Sequence, residues 1–402
     1  MKILNNKWIR AAAPALLIHC SIGTVYCWST FKESIAQQIG TSTFATGWAF
    51  SLAIFFLGMS AAFLGNLVEK NIKLSSLIAT LCFTIGMIGT GLVINNFKGT
   101  VALIGIYLFY GCIMGVGLGI GYLTPVKTLM LWFSDQKGLA TGISIMGFGL
   151  AKAIATPIME FLQNKYGISA MFYILASLYF VMMLLGHILI KKPEWWSENT
   201  IEKEKFNLKE LLTNKTFIGI WIVFYFNIHC GLMLITYEKQ ILTYAAVGLS
   251  VAALMRIVSI VPSVTAGCNA LGRLGYSTIS DKLSDRATIY VIIFSSCAIV
   301  SSLSNLIPSI AMIIILLMVV NLGYGGGFST LPALLSQRFG MDNISKIHGI
   351  ALSAWAIAGL TGNNTTALIL KFNGSYNIVF LIAMIIYIIS LLITQIVIKN
   401  KR

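Results

Sequence analysis

LSSLIATLCFTIGMIGTGLVIN, residues 74–95, runs for 22 residues without a charged side chain. At 1.5 Å per residue that is enough helix to cross about 30 Å of hydrocarbon. Outward from it, eleven more apolar stretches lie at 9–31, 44–66, 100–125, 138–160, 168–190, 216–237, 251–279, 288–306, 309–335, 347–370 and 374–398. Composition points the same way: 57% of the 402 residues are hydrophobic and 10% charged, where a soluble domain carries about 25% charged residues. The expectation is an all-α membrane protein with twelve transmembrane helices.

Twelve crossings put both termini on one side. Lysine and arginine decide which side, because cytoplasmic loops near helix ends gather positive charge. With the N-terminus inside, 20 of the 28 Lys and Arg fall on the inner side, among them Lys2, Lys7, Arg10, Lys70, Lys73, Lys127, Lys137, Lys191, Lys192, Lys282, Arg286 and Arg338. Lys32, Lys98, Lys165, Lys239, Arg256 and Lys371 fall outside, and Lys152 and Arg273 lie within spans. A multi-pass protein of the cytoplasmic membrane with both termini in the cytoplasm is predicted. The net charge of +15 is scattered over several inner loops, so it reads as topology and not as a nucleic-acid surface. The seven cysteines are odd in number, sit in spans and form no CxxC pair, which suits small packing residues. The first apolar run continues into Trp28 and Phe31, a full span and not a cleavable leader.

Lys191 to Lys215 is the one long polar segment. It mixes lysines with Glu194, Glu198, Glu202, Glu204 and Glu210 and reads as a solvated, partly helical cytoplasmic linker. It divides the chain into an N-terminal half, 1–190, and a C-terminal half, 216–402. The halves echo each other: Ile18-His19-Cys20 recurs as Ile228-His229-Cys230, Asn6-Lys7 as Asn214-Lys215, Glu69-Lys70 as Asp281-Lys282, Pro125 as Pro332, and Gly142-Ile143 as Gly349-Ile350. The nearly constant offset indicates an internal duplication. Two six-helix halves repeated in parallel are the arrangement of the major facilitator transporters, whose substrate site lies near the bilayer midplane and whose halves rock to alternate access.

Gly65-Asn66-Leu67-Val68-Glu69-Lys70 lies between helices 2 and 3, and Ser280-Asp281-Lys282-Leu283-Ser284-Asp285-Arg286 lies between helices 8 and 9. Each puts carboxylates beside cations at a cytoplasmic helix end. They resemble the major facilitator loop motif, which implies a gating role for Glu69, Lys70, Asp281, Lys282 and Arg286. A plain solvated turn is the alternative, since exposed pairs contribute about 1 kcal/mol at most.

More specific segments are Gly23-Thr24-Val25-Tyr26-Cys27-Trp28-Ser29 in helix 1, Lys127 to Gly149 around helix 5, and Tyr324-Gly325-Gly326-Gly327-Phe328 in helix 10. The second contains Leu131-Trp132-Phe133-Ser134-Asp135-Gln136-Lys137-Gly138-Leu139-Ala140-Thr141-Gly142, then Gly147-Phe148-Gly149. On these segments the chain resembles the oxalate:formate antiporter family and, more distantly, the monocarboxylate transporters, over nearly its whole length. The resemblance implies secondary active transport of small carboxylates by alternating access, without a cofactor. A carboxylate anion and the lipid bilayer are the expected partners, and a monomer the expected state.

Arg273 stands eight residues before Asp281, about 12 Å into helix 8. Arginine stays protonated at physiological pH, and a charge at that depth costs at least about 2.5–3.5 kcal/mol unless it faces a wet cavity or a partner. None of the 13 acidic residues falls mid-span, so no fixed carboxylate partner is expected. Its fork of donors can hold both oxygens of a bound carboxylate. In the resembled family the helix 8 arginine at this place binds the substrate carboxylate. An unloaded arginine without a partner would be costly to occlude, which favours exchange over net flux.

The dicarboxylate branch of that family carries a helix 11 lysine as a second anion contact. Aligning Gly349-Ile350-Ala351-Leu352-Ser353-Ala354-Trp355-Ala356 to it puts Trp355 in that place. Lactate, pyruvate or formate is therefore expected ahead of oxalate. Lys152, about 20 Å into helix 5, could restore the second charge, sit neutral, or snorkel to an interface. Neither Arg273 nor Lys152 has a charged counterpart at its repeat-related position.

His19 and His229 occupy matching mid-span positions. Cavity lining, proton exchange near neutral pH and a hydrogen-bonding core role all stay open, and so does the choice between anion exchange and proton symport. Tyr26, Tyr122, Tyr324, Phe328 and Trp355 match cavity-lining aromatic positions of the family, with simple packing as the alternative. Gly111, Gly115, Gly117, Gly119 and Gly121 permit close helix approach, and no GxxxxGK[ST] phosphate loop is present. With no HExxH, no carboxylate pair in a span and no nucleophile beside a base, an enzyme is not expected. A channel fits less well than alternating access. A sensor that binds without transporting, or a carrier of another small solute, is the remaining alternative.

Overall fold

The computed structural model describes residues 6–194, 206–307 and 309–399. Within them twelve helices are long and apolar enough to cross a membrane: α1 Trp8–Ile39, α2 Thr43–Lys70, α3 Ile72–Asn96, α4 Gly99–Trp132, α5 Lys137–Tyr166, α6 Ile168–Leu189, α7 Lys215–Ile235, α8 Val251–Ser280, α9 Ala287–Leu306, α10 Ile310–Phe339, α11 Ile344–Asn373 and α12 Tyr376–Ile398. The twelve expected spans are all present, and the described residues contain helices and turns only. Of the linker, residues 195–205, with Glu198, Glu202, Lys203, Glu204 and Lys205, lie outside the described residues, as do Lys2, Lys401 and Arg402. The described part of it holds one short helix, Leu208–Thr213.

Helix ends follow ordinary capping chemistry. Ser42, Asn71, Asn214 and Ser250 each accept a backbone N–H three residues on, at 3.1, 2.9, 3.1 and 3.3 Å, satisfying donors that a helix start leaves open. Gly40, with φ 71°, ends α1 in the left-handed region. Several helices outrun the apolar stretches that announced them. α1 continues through Lys32 and Glu33, and α4 takes in Lys127, both placed in loops by hydropathy. A helix does not stop where hydrocarbon does. The outer surface is apolar, with Phe63 75% and Phe372 82% exposed, as expected of a surface that meets lipid tails rather than water.

The chain separates into two compact units. The first joins Met1–Lys205 to Phe339–Ala356, the start of α11. There α3 packs along α6, α2 along α4, and α1 along α5. The glycines of α4 serve two neighbours: a Cβ on Gly115 would come within 2.8 Å of Phe56 on α2, and one on Gly117 within 2.9 Å of Cys82 on α3. The start of α11 lies against α2 through glycines on both sides. A Cβ on Gly58 would stand 2.6 Å from the Leu352 carbonyl, one on Gly65 2.5 Å from that of Ser345, and one on Gly349 would strike that of Ala61.

The second unit joins Phe206–Arg338 to Ile357–Arg402. α12 packs against both α9 and α7. α8 and α10 touch backbone to backbone, since a side chain on Gly272 would strike the Leu322 carbonyl and one on Gly325 the Asn269 carbonyl.

Candidate functional site

In the second unit, that backbone contact puts Arg273 beside the glycine run of α10. Arg273 is 2% exposed. Its Nε donates to Asn269 Oδ1 at 2.8 Å, one turn earlier on α8. The guanidinium carbon lies 5.4 Å from the centre of the Phe328 ring, within cation–π range. Each glycine between Tyr324 and Phe328 makes room for one neighbour: a Cβ on Gly325 would press the Arg273 Cγ at 3.1 Å, one on Gly326 the Tyr276 ring, and one on Gly327 the Asn227 side chain. The Tyr324 and Phe328 rings lie 5.1 Å apart, and Phe224 stands edge-on to Phe328 at 5.1 Å. Arg273, Tyr324 and Phe328 thus come together. Asn269 and Phe328 hold the arginine in place. Asn269 escaped the sequence reading; its only signal there was its i, i+4 spacing from the arginine.

His229 belongs to another cluster of this unit. Its Nδ1 lies 3.0 Å from Thr361 Oγ1 and 3.3 Å from Tyr225 Oη, which are themselves 3.0 Å apart. It ties α7 to α11.

In the first unit the hub is Tyr122. Its ring lies 5.7 Å from Phe148, 5.7 Å from Trp355, 5.9 Å from His348 and 5.3 Å from His19, on which it stacks. Tyr26 joins through Phe148 at 5.4 Å. His19 cross-links three helices: Nδ1 meets the Ser144 carbonyl of α5 at 2.7 Å, and Nε2 meets the Tyr122 carbonyl of α4 at 3.2 Å. That second carbonyl lies three residues before Pro125, in the turn that the missing proline N–H loosens. The repeat-related histidines therefore do different work. His348, 2% exposed, was missed by the sequence reading. Its Nε2 is buried without a hydrogen-bond partner. Lys152 lies on the exposed side of α5, with Nζ donating to Ser29 Oγ at 3.3 Å.

The loop charges pair more specifically than their spacing suggested. Glu69 forms a buried ion pair with Lys127 of α4, while the neighbouring Lys70 is exposed. Its other oxygen accepts the Ser345 N–H at the start of α11 at 3.1 Å. Lys127, counted as a loop lysine from hydropathy, is 3% exposed. Asp281 pairs with Arg286 at 2.8 Å, and Asp285 with Arg338 at 2.6 Å. Lys282 is exposed.

The Major Facilitator Superfamily model matches residues 15–363. The chain is 25% identical to the oxalate:formate antiporter of Oxalobacter formigenes, over 99% of this chain and 93% of the relative. It is 25% identical to the monocarboxylate transporter 12-B of Danio rerio over a shorter region, 45% of this chain and 37% of that one. The crystal structure of a bacterial homologue of the iron transporter ferroportin, in an outward-facing state, superposes with a TM-score of 0.75 at 10% identity, covering 96% of this chain and 97% of that one.

Proposed function

The chain belongs to the Major Facilitator Superfamily of membrane transporters, and from that premise we propose that it carries small carboxylate anions, with Arg273 as the group that binds the carboxylate. The observation that carries this reading is the arginine in its cradle, a permanent charge deep in a spanning helix, 2% exposed and held in orientation from two sides. Such a charge is costly unless it serves a ligand or an internal pair, and its planar fork matches a carboxylate. The full-length similarity to an oxalate:formate antiporter supports the same substrate class. Trp355 in place of a second cation supports monovalent anions, lactate, pyruvate or formate, ahead of oxalate. Exchange of one anion for another is the favoured mode, a reading supported by the full-length similarity to an antiporter. The loop pairs Glu69–Lys127 and Asp281–Arg286 are proposed as latches of one gating state, and both termini as cytoplasmic.

Proteoliposomes preloaded with formate, oxalate, lactate or pyruvate test the reading by counterflow of labelled anion, with and without an imposed pH gradient. Saturable counterflow of a monocarboxylate is expected, and Arg273→Gln is expected to abolish it while the protein still inserts. Counterflow that survives Arg273→Gln removes the assignment. A proton gradient that drives net uptake without internal anion replaces exchange with symport.

A further inference from the structure

We propose that Ser345 and His348 form a release element on the face by which the start of α11 seats against α2 and α4: two buried polar groups that oppose the seated arrangement and speed its opening. The inference rests on the reading of Glu69–Lys127 as a latch. Both residues are 2% exposed, and they lie one turn apart on one helix face. Among the described residues, neither Ser345 Oγ nor His348 Nε2 has a hydrogen-bond partner. His19, in the same aromatic hub, shows the contrast. It meets the Tyr122 ring at 5.3 Å, as His348 does at 5.9 Å, yet both of its ring nitrogens are bonded.

Other contacts favour seating. The Ser345 N–H donates to Glu69 at 3.1 Å, Glu69 pairs with Lys127, and Gly58, Gly65 and Gly349 let α2 and α11 approach backbone to backbone. A polar atom buried without a bond has given up its water and gained nothing in return. That loss shifts a two-state equilibrium about five- to a hundredfold for each group. His348 stands four residues, about 6 Å of rise, from the first residue of α11, so a small displacement of this helix end returns both groups to water. An ion pair and close backbone packing hold the seat, and two groups that regain hydrogen bonds on leaving it weaken the hold. The seated and released arrangements are thereby kept close in free energy.

The test compares Ser345→Ala, His348→Leu and the double variant with the unmodified full-length protein. Each single variant is expected to raise the melting temperature in detergent by about 1–4 °C and to slow amide hydrogen exchange over residues 344–352 at least about threefold. Each is also expected to lower the maximal rate of lactate or formate counterflow about threefold or more, by overstabilising the seat, and the double variant to exceed both. A Ser345→Ala protein that melts lower, or exchanges as fast as the unmodified one, overturns the inference and decides alone if His348→Leu does not insert. Slower exchange with an undiminished counterflow rate overturns it too, since the two groups would then burden the seat without serving its release. Failure of the latch reading looks different: Glu69→Gln would leave exchange over 344–352 unchanged. Failure of the carboxylate reading shows as no counterflow of either anion by the unmodified protein, and the hydrogen-exchange comparison then decides.

Discussion

At the scale of single residues, Arg273 shows what a sequence can and cannot announce. A permanent charge inside an apolar run is conspicuous because lipid penalises it, so the arginine was legible. Its supports were not. Asn269, Phe224 and the three separate tasks of Gly325, Gly326 and Gly327 depend on where α10 crosses α8, which no spacing rule supplies. Gly325→Ala brings a methyl group to 3.1 Å from the Arg273 Cγ and into the Asn269 carbonyl. Because displacing a bound group by about 1 Å can cost 100-fold, this variant is expected to lower the counterflow rate at least tenfold, measured at equal amounts of inserted protein. Phe328→Leu keeps apolar volume and removes the ring face, which contributes about 0.5–2 kcal/mol. A rise of about two- to thirtyfold in half-saturation concentration is expected, and Phe328→Tyr should leave it within about twofold.

At the scale of helices, the spans were legible and their ends were not. Hydropathy reports hydrocarbon depth, whereas hydrogen bonding and caps decide where a helix stops, so α4 keeps its ladder past Lys127 to Trp132. That extension changes the chemistry of the loop motif. Lys127, 3% exposed, reaches Glu69 from inside α4, and Glu69 also caps the start of α11. Removing one partner of a buried pair costs about 3–5 kcal/mol because the other charge is left stranded. Lys127→Met is therefore expected to lower the melting temperature in detergent by several degrees, and Lys70→Met to leave it unchanged. The double variant Glu69→Gln/Lys127→Met should melt above Lys127→Met, since it strands no charge. Equal loss from Lys70→Met and Lys127→Met would return the motif to a solvated turn.

At the scale of the whole molecule, the positive-inside count predicts a side for each loop. In a cysteine-free background, Lys98→Cys, between α3 and α4, should react with a membrane-impermeant maleimide added to intact cells, and Asp135→Cys, between α4 and α5, only after permeabilisation. The reverse pattern inverts the topology. The glycines of the spans carry a further consequence, for which substitutions the chain can absorb. Gly58, Gly65 and Gly349 seat the start of α11 against α2 with carbonyl oxygens where a Cβ would stand, whereas Gly47, Gly267 and Gly275 meet nothing within 4 Å. The first three are positions at which even alanine is lethal to the close approach. The second three are helical glycines where alanine should raise stability by about 0.5–1 kcal/mol through reduced backbone freedom in the unfolded chain. A library of variants selected for transport should thus split six outwardly similar glycines into two classes, one invariant and one drifting freely, and the dividing line would trace the seam between α2 and the start of α11 without any structure being consulted.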